Sequence, residues 1–432
     1  MVAGEACRLW HDMTRQDRVA VALAAIFLFI LPIPHTVSLR LIALFLSATL
    51  VVFGTTRRDW SLLPLKGPWI VWLAIQLLSL TTAVSPLFTL GAIKAETLYS
   101  FVAYVLFFFL CRKKQVARLL MVLPIGALVL LAAGGWAEWN VTGMAVGPTT
   151  IYDGVGKFTT YVITIIPLMS IILAAKETKL RTRVAMIIVA LFGCMTAYLG
   201  SNRMFWLALA VEIVTLLIFL LPRQPEGRAR IWLYGVGGGA VLLVGIATVF
   251  YNVLQLRTGT RLDGFSEVVT TTIMKDPRWP LWAFCVHKIW DHPLYGVGFG
   301  LGAFALAYPQ WLRRAPDLWH AHNIFLNYGI EMGVPGIVAF LWLIWSILKV
   351  IRPIYRTPGT DDRHLAAIAL LTMILGVLAK NMTDDFFYQD LALLFWSITG
   401  GILGYISRAG ASHESTGISV PRGMGTERSS CG

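Results

Sequence analysis

The sequence predicts an all-α polytopic integral membrane protein of about twelve transmembrane helices, with one long outer loop between spans 9 and 10. Three observations carry that reading. Of the 432 residues, 57% are hydrophobic and only 14% are charged, a balance foreign to soluble domains. Apolar stretches recur along the chain, most near the length of about 20 residues that a helix needs to cross hydrocarbon. Lys and Arg gather in alternate connections between those stretches. The formal net charge of +13 therefore reads as membrane topology. Nucleic-acid binding is not expected, because the basic residues lie in short clusters between apolar runs.

Residues 1–18 are polar and basic, with Arg8, Arg15 and Arg18, and are expected in the cytoplasm. Helices 1–9 fall within 19–252, near 19–34, 37–53, 68–84, 97–111, 116–134, 158–175, 184–200, 204–222 and 231–252. The first resembles a signal peptide, but no small-residue cleavage site follows and a second span comes at once, so it reads as a retained helix. Residues 253–331 form the long polar loop, with amphipathic helices expected in it. Helices 10–12 fall within 332–407, near 334–350, 364–380 and 389–407. The tail, 408–432, is rich in Gly and Ser and is expected to be disordered.

Charge sets the orientation. With the N-terminus inside, the inner connections hold Arg57, Arg58 and Lys66; Arg112, Lys113, Lys114 and Arg118; Lys176, Lys179, Arg181 and Arg183; Arg223, Arg228 and Arg230; and Lys349, Arg352, Arg356 and Arg363. The short outer loops hold single charges: Arg40, Lys94, Lys157, Arg203 and Lys380. An even helix count follows, with both termini inside and the 253–331 loop outside. Cys285 alone among the cysteines falls in the outer compartment, so no disulfide within the chain is expected there. No Cys/His pair has zinc-ligand spacing, and no metal or cofactor is expected.

Four stretches carry candidate chemistry. In G-S-N-R-M-F-W (200–206), Arg203 stands at the outer end of a helical hairpin. It is either an interfacial residue reaching for lipid headgroups or an anion holder, whose planar fork suits phosphate. In D-P-R-W-P-L-W (276–282), Arg278 and Trp282 are four apart and share a face on a continuous helix, with Pro280 favouring a helix start. That helix can also lie in the membrane interface. In D-H-P-L-Y-G-V-G-F-G-L-G (291–302), the glycines lack the strand and Lys-Ser/Thr of a nucleotide loop and read as a turn packed closely on a neighbour. In W-H-A-H-N-I-F-L-N-Y-G-I-E-M-G-V-P-G (319–336), His320, His322 and Asn323 precede span 10 and Glu331 stands near its start. The histidine spacing does not build a metal site. Asp384 and Asp385, between the last two spans, either bind sugar hydroxyls or arginines, or are solvated; Glu138 and Asp153 have the same status.

These residues resemble those of bacterial O-antigen ligases, in the superfamily that also holds O-antigen polymerases and protein O-oligosaccharyltransferases. The run H-N-I-F-L-N-Y-G-I-E-M-G-V-P-G is similar to the family's His-Asn…Glu-x-Gly-x-x-Gly. The stretch from Arg278 and Trp282 to H-P-L-Y-G-V-G-F-G is similar to its Arg…Trp…Pro-Leu-x-Gly-x-Gly. The hairpin S-N-R resembles its Ser-Arg, here with Asn202 inserted. The resemblance covers most of the chain. It implies transfer of a glycan from undecaprenyl diphosphate to a hydroxyl of the lipid A core oligosaccharide, at the periplasmic face of the bacterial inner membrane. Transfer would invert the anomeric centre and need no metal. His322 would act as general base, while Arg203 and Arg278 would grip the diphosphate. His320, Asn323, Arg261, Asp384 and Asp385 are accessory candidates. The enzymatic rival is an O-antigen polymerase, whose acceptor is a lipid-linked glycan. A polytopic transporter is the rival from another class. It would show charges in mid-span, and Glu212 is the main such candidate.

Overall fold

A backbone in hydrocarbon must satisfy its own hydrogen bonds, so each apolar stretch folds as a helix. A computed structural model describes residues 13–142, 154–200, 202–220, 276–316, 318–357, 361–385 and 387–414, with isolated positions between 244 and 251. The first part contains α1 (Arg15–Ile30), α2 (Val37–Phe53), α3 (Lys66–Leu78) and α4 (Pro86–Ala92). A π-helical turn at Ile93–Leu98 joins α4 to α5 (Tyr99–Cys111). There follow α6 (Lys114–Thr142), α7 (Val155–Ala174), α8 (Leu180–Leu199) and α9 (Arg203–Leu220). The described part of the long loop holds α10 (Arg278–Asp291), α11 (Ala303–Ala307), α12 (Pro309–Arg314) and α13 (Ile324–Met332). Three helices close the described chain: α14 (Val334–Arg356), α15 (Asp362–Lys380) and α16 (Gln389–Glu414).

The protein is an all-α polytopic membrane protein; among the described residues, eight helices are long and apolar enough to cross a membrane. Two boundaries differ from the sequence reading. The fourth span starts at Pro86, where proline occupies the first turn of a helix, a position that needs no N–H. The π-helical turn then carries Lys94 and Glu96 along the same span. Within the loop, α13 is a separate helix that ends before the tenth span. Gly333, at φ +73°, breaks the chain between it and α14. Secondly, α16 continues to Glu414, into the tail expected to be disordered. The ninth span and Arg261 lie outside the described residues.

Close helix packing fixes the frame. Helices α5 and α16 run parallel, with Gly400 on the carbonyl of Tyr104 and Gly404, one turn later, on that of Phe108. Any Cβ at either glycine would collide with that backbone. Small residues four apart let membrane helices approach this closely. Trp69 of α3 stacks against the same seam, 4.6 Å from Trp396 by ring centroid.

The two ends of the bundle differ in charge. At one end, Lys113 pairs with Asp17 at 2.8 Å, Arg112 with Asp59 at 2.7 Å, and Lys114 and Arg118 with Asp362 at 2.8 and 3.0 Å. The basic cluster of one inner connection thus meets acids from three other inner segments. The start of α9, the end of α15 and the loop helices α10–α13 gather at the opposite end, joined by Arg203–Asp276 and Arg278–Asp384.

Candidate active site

The loop is anchored through its glycines. Val297 and Gly298 donate their N–H groups to the carbonyls of Ile330 and Glu331 at 2.9 and 3.0 Å. Gly296 lies so close that a Cβ there would overlap the Ile330 carbonyl. Gly298, at φ +105°, sits on Ala83 and Thr89 beside α4, a backbone conformation that favours glycine. The expectation of a turn packed on a neighbour describes this segment. It sets the end of α13, and hence Glu331, against the break between α3 and α5.

The histidine turn precedes α13. Asn323 caps that helix, its side-chain oxygen accepting from Phe325 and Leu326 N–H at 3.0 and 3.1 Å. Its amide donates to the Met382 carbonyl at 2.8 Å, tying the cap to the segment after α15. His322 adopts φ +48°, a strained conformation for a residue with a Cβ. Two side chains hold the turn there. His320 Nδ1 accepts the His322 N–H at 3.1 Å, and Asn327 Oδ1 accepts the Ala321 N–H at 3.2 Å. The two imidazoles stack with centroids 3.8 Å apart. His320 is buried, and burial pushes its pKa well below the ordinary value; His322 and Arg278 act the same way, against Asp384. A neutral His320 that accepts at Nδ1 carries its proton on Nε2.

Arg278 and Trp282 converge on this turn, as their spacing predicts. Trp282 Nε1 donates to the Ala321 carbonyl at 2.9 Å, while Arg278 Nη2 lies 3.5 Å from Asp384 Oδ1. The same oxygen is 3.7 Å from His322 Nδ1. That is longer than a hydrogen bond, so Asp384 acts on the imidazole as a nearby charge. Asp384 is also held by Lys380, Nζ to Oδ2, at 2.6 Å. Burial pushes its carboxyl up, but Lys380, His322 and Arg278 outweigh burial and hold it well below the usual carboxylate range. Arg203 is anchored by Asp276, 2.5 Å away.

Behind this row lies a second acidic group. Asn327 donates to Asp385 Oδ2 at 2.6 Å and to Glu331 Oε1 at 3.2 Å. Burial raises Asp385 to about 7, with Asp384 adding in the same direction against hydrogen bonds from Phe387 and Asn327. Glu331 is raised well above its ordinary value, first by burial and then by Glu96 and Asp385. Like charges in a dry site cannot all ionise. This set therefore retains protons while Asp384 stays ionised. Glu212 lies on the same helix as Arg203, buried against Gly376 of α15.

The fold thus brings Arg278, His322, His320, Asn323, Asp384 and Asp385 into one neighbourhood, and Asp276 links Arg203 to the first turn of α10. Sequence reasoning missed Lys380, Asp276 and Asn327 as members. The i,i+4 spacing of Lys380 and Asp384 was the available signal. No sequence spacing announces Asp276 or Asn327, whose partners are brought to them by the fold.

The O-antigen ligase family matches residues 187–341. That range runs from within α8 into α14 and contains Arg203, Arg278 and His322. A protein of Rickettsia conorii (strain ATCC VR-613 / Malish 7), provisionally named a polysaccharide ligase, is 22% identical over 211 residues, which are 43% of this chain and 47% of that protein. The chain spans about half the length of this curated relative. Its arginines and histidine turn lie inside the matched range, on an all-α membrane frame, so the candidate site falls in the part of the chain that is similar to the O-antigen ligase family.

Proposed function

We propose that the protein transfers a glycan from undecaprenyl diphosphate to a hydroxyl of the lipid A core oligosaccharide, at the outer face of the bacterial inner membrane. One observation carries the reading: Arg278 and His322 approach the same oxygen of Asp384, at 3.5 and 3.7 Å. A group suited to an anionic leaving group and a group suited to a hydroxyl proton thus stand side by side.

Each residue then has a task. The acceptor oxygen attacks the anomeric carbon from the face opposite the diphosphate. The bond from that carbon to the phosphate oxygen breaks, and its electron pair leaves with the diphosphate. Arg203 and Arg278 stabilise the charge growing there, worth about 3 kcal/mol per donor in comparable sites. His322 Nε2 takes the hydroxyl proton, while Asp384, beside Nδ1, stabilises the imidazolium. Inversion follows from a single displacement. No step calls for a metal, because the arginines supply the positive charge.

Reconstitution tests this. Purified protein, lipid-linked glycan and rough lipopolysaccharide should give capped lipopolysaccharide. Arg203→Ala and Arg278→Ala should each slow transfer about a hundredfold, with Lys restoring only part, since it lacks the fork. A ladder built on the polyprenyl lipid would reassign the protein as a polymerase. Unconsumed donor with well-folded protein would overturn the reading.

A further inference from the structure

The two acids that pair with the arginines are not equivalent. Asp384 is held by Lys380 at 2.6 Å as well as by Arg278 at 3.5 Å. If Arg278 turns to another anion, Asp384 keeps a cation. Among the described residues, the ion-pair partner of Asp276 is Arg203, at 2.5 Å. Its other oxygen accepts the Arg278 backbone N–H at 2.9 Å. That bond keeps the carboxylate at the first turn of α10 whether or not Arg203 stays with it. The side chains of Arg203 and Asp276 are 20% and 15% exposed, so the pair is stronger than one in open water yet still within reach of solvent.

We propose that Asp276 is an internal competitor for the donor's diphosphate at Arg203, giving up the guanidinium as donor binds and taking it back as the lipid diphosphate leaves. This rests on the reading of Arg203 as part of the diphosphate grip. The chemistry supplies the need. When the glycosidic bond breaks, the leaving oxygen keeps the electron pair, so the product lipid diphosphate carries one more negative charge than the donor. Arginines that stabilise the developing charge therefore hold the product more tightly than the substrate. A fixed carboxylate returning to Arg203 offsets that excess and speeds release, which limits turnover in many enzymes. An alternative role, aligning Arg203 for phosphate, has the opposite sign.

The test uses Asp276→Asn and Asp276→Ser in the full-length protein. Both keep a short oxygen acceptor for the Arg278 N–H and both remove the charge. Undecaprenyl diphosphate binding to purified protein is measured by calorimetry, alongside steady-state and single-turnover transfer. Both variants should bind the lipid diphosphate about tenfold tighter, about 1.4 kcal/mol. KM for the donor and kcat should fall together, while single-turnover transfer holds. Unchanged or weaker lipid diphosphate binding in both variants overturns the competitor while leaving the diphosphate grip in place. If wild-type protein binds no lipid diphosphate and transfers no glycan, the functional reading itself fails.

Discussion

At the scale of single residues, His322 and His320 stack in one turn of the candidate site. The spacing of two left open which of them faces the substrates, because a helix and an extended entry give opposite answers. The chain does neither. It makes a strained turn in which the two rings stack and His320 accepts the His322 N–H. His322→Ala should abolish transfer. His320→Ala should also cost activity, although the sequence reading makes His320 only an accessory candidate, because the turn loses a backbone anchor. His320→Asn, which can still accept that N–H, should recover part of the rate. Wild-type transfer should fall toward acid pH, since protonating the base removes its lone pair. An active His322→Ala variant would exclude the base, and a rate that falls only toward alkaline pH would make the imidazole a phosphate-gripping cation instead. Asp385 gives a separate prediction. Burial raises its pKa to about 7, above the unfolded value near 3.9. The folded state therefore holds this proton more tightly than the unfolded state. Its contribution to stability is greatest below the unfolded pKa and is lost as pH rises through about 7. Thermal unfolding in detergent should show wild type losing more stability than Asp385→Asn between pH 5 and 8. Parallel curves for the two proteins would remove Asp385 as the titrating group.

At the scale of elements, the glycine segment and α13 form the joint on which the site depends. Gly296→Ala places a methyl group on the Ile330 carbonyl, and backbone cannot step aside as a flexible side chain can. The cost should be about 1–3 kcal/mol, as for other overpacked sites, read as a lower unfolding midpoint. Transfer should fall with it, because the same contact sets Glu331 and α13. A variant as stable and active as wild type would show that the segment merely fills space. Much of this scale was legible in the sequence. The apolar runs gave most of the described helices, because a membrane leaves the backbone few other choices. The spacing of Arg278 and Trp282 correctly put both on one face. The π-helical turn at Ile93–Leu98 was not legible, since its residues look like an ordinary helical span. The candidate site was legible as a neighbourhood where chemistry and spacing coincide, as at Arg278 and His322. It was hidden where a residue acts only through distant partners, as Asn327 does with Asp385, fifty-eight positions away.

At the scale of the whole molecule, the charge pattern that predicted topology has a three-dimensional counterpart. Arg112, Lys113, Lys114 and Arg118 meet Asp17, Asp59 and Asp362 at one end of the bundle. The arginines and histidines of the candidate site occupy the other. Under the proposed function, the positive-inside rule puts the first end in the cytoplasm and turns the site outward, toward the proposed donor, which is already activated and needs no nucleotide. Exposed Trp279, Val286 and Trp290 on α10 suit a helix lying in the interface beside that site, where the proposed lipid-borne substrates would approach from the side. Orientation is therefore a condition of the mechanism. A reporter active only outside the cytoplasm should work when fused after residue 315 and fail after residues 115, 180 and 355. A reporter that works only in the cytoplasm should show the reverse pattern. The fusions after 115 and 355 probe connections whose basic residues lie at or beside the charged end, so they test the structure and the charge rule together. Cytoplasmic behaviour at 315 with outer-side behaviour at 115 and 355 would invert the molecule, and the arginines would then face a compartment where the proposed acceptor is not displayed.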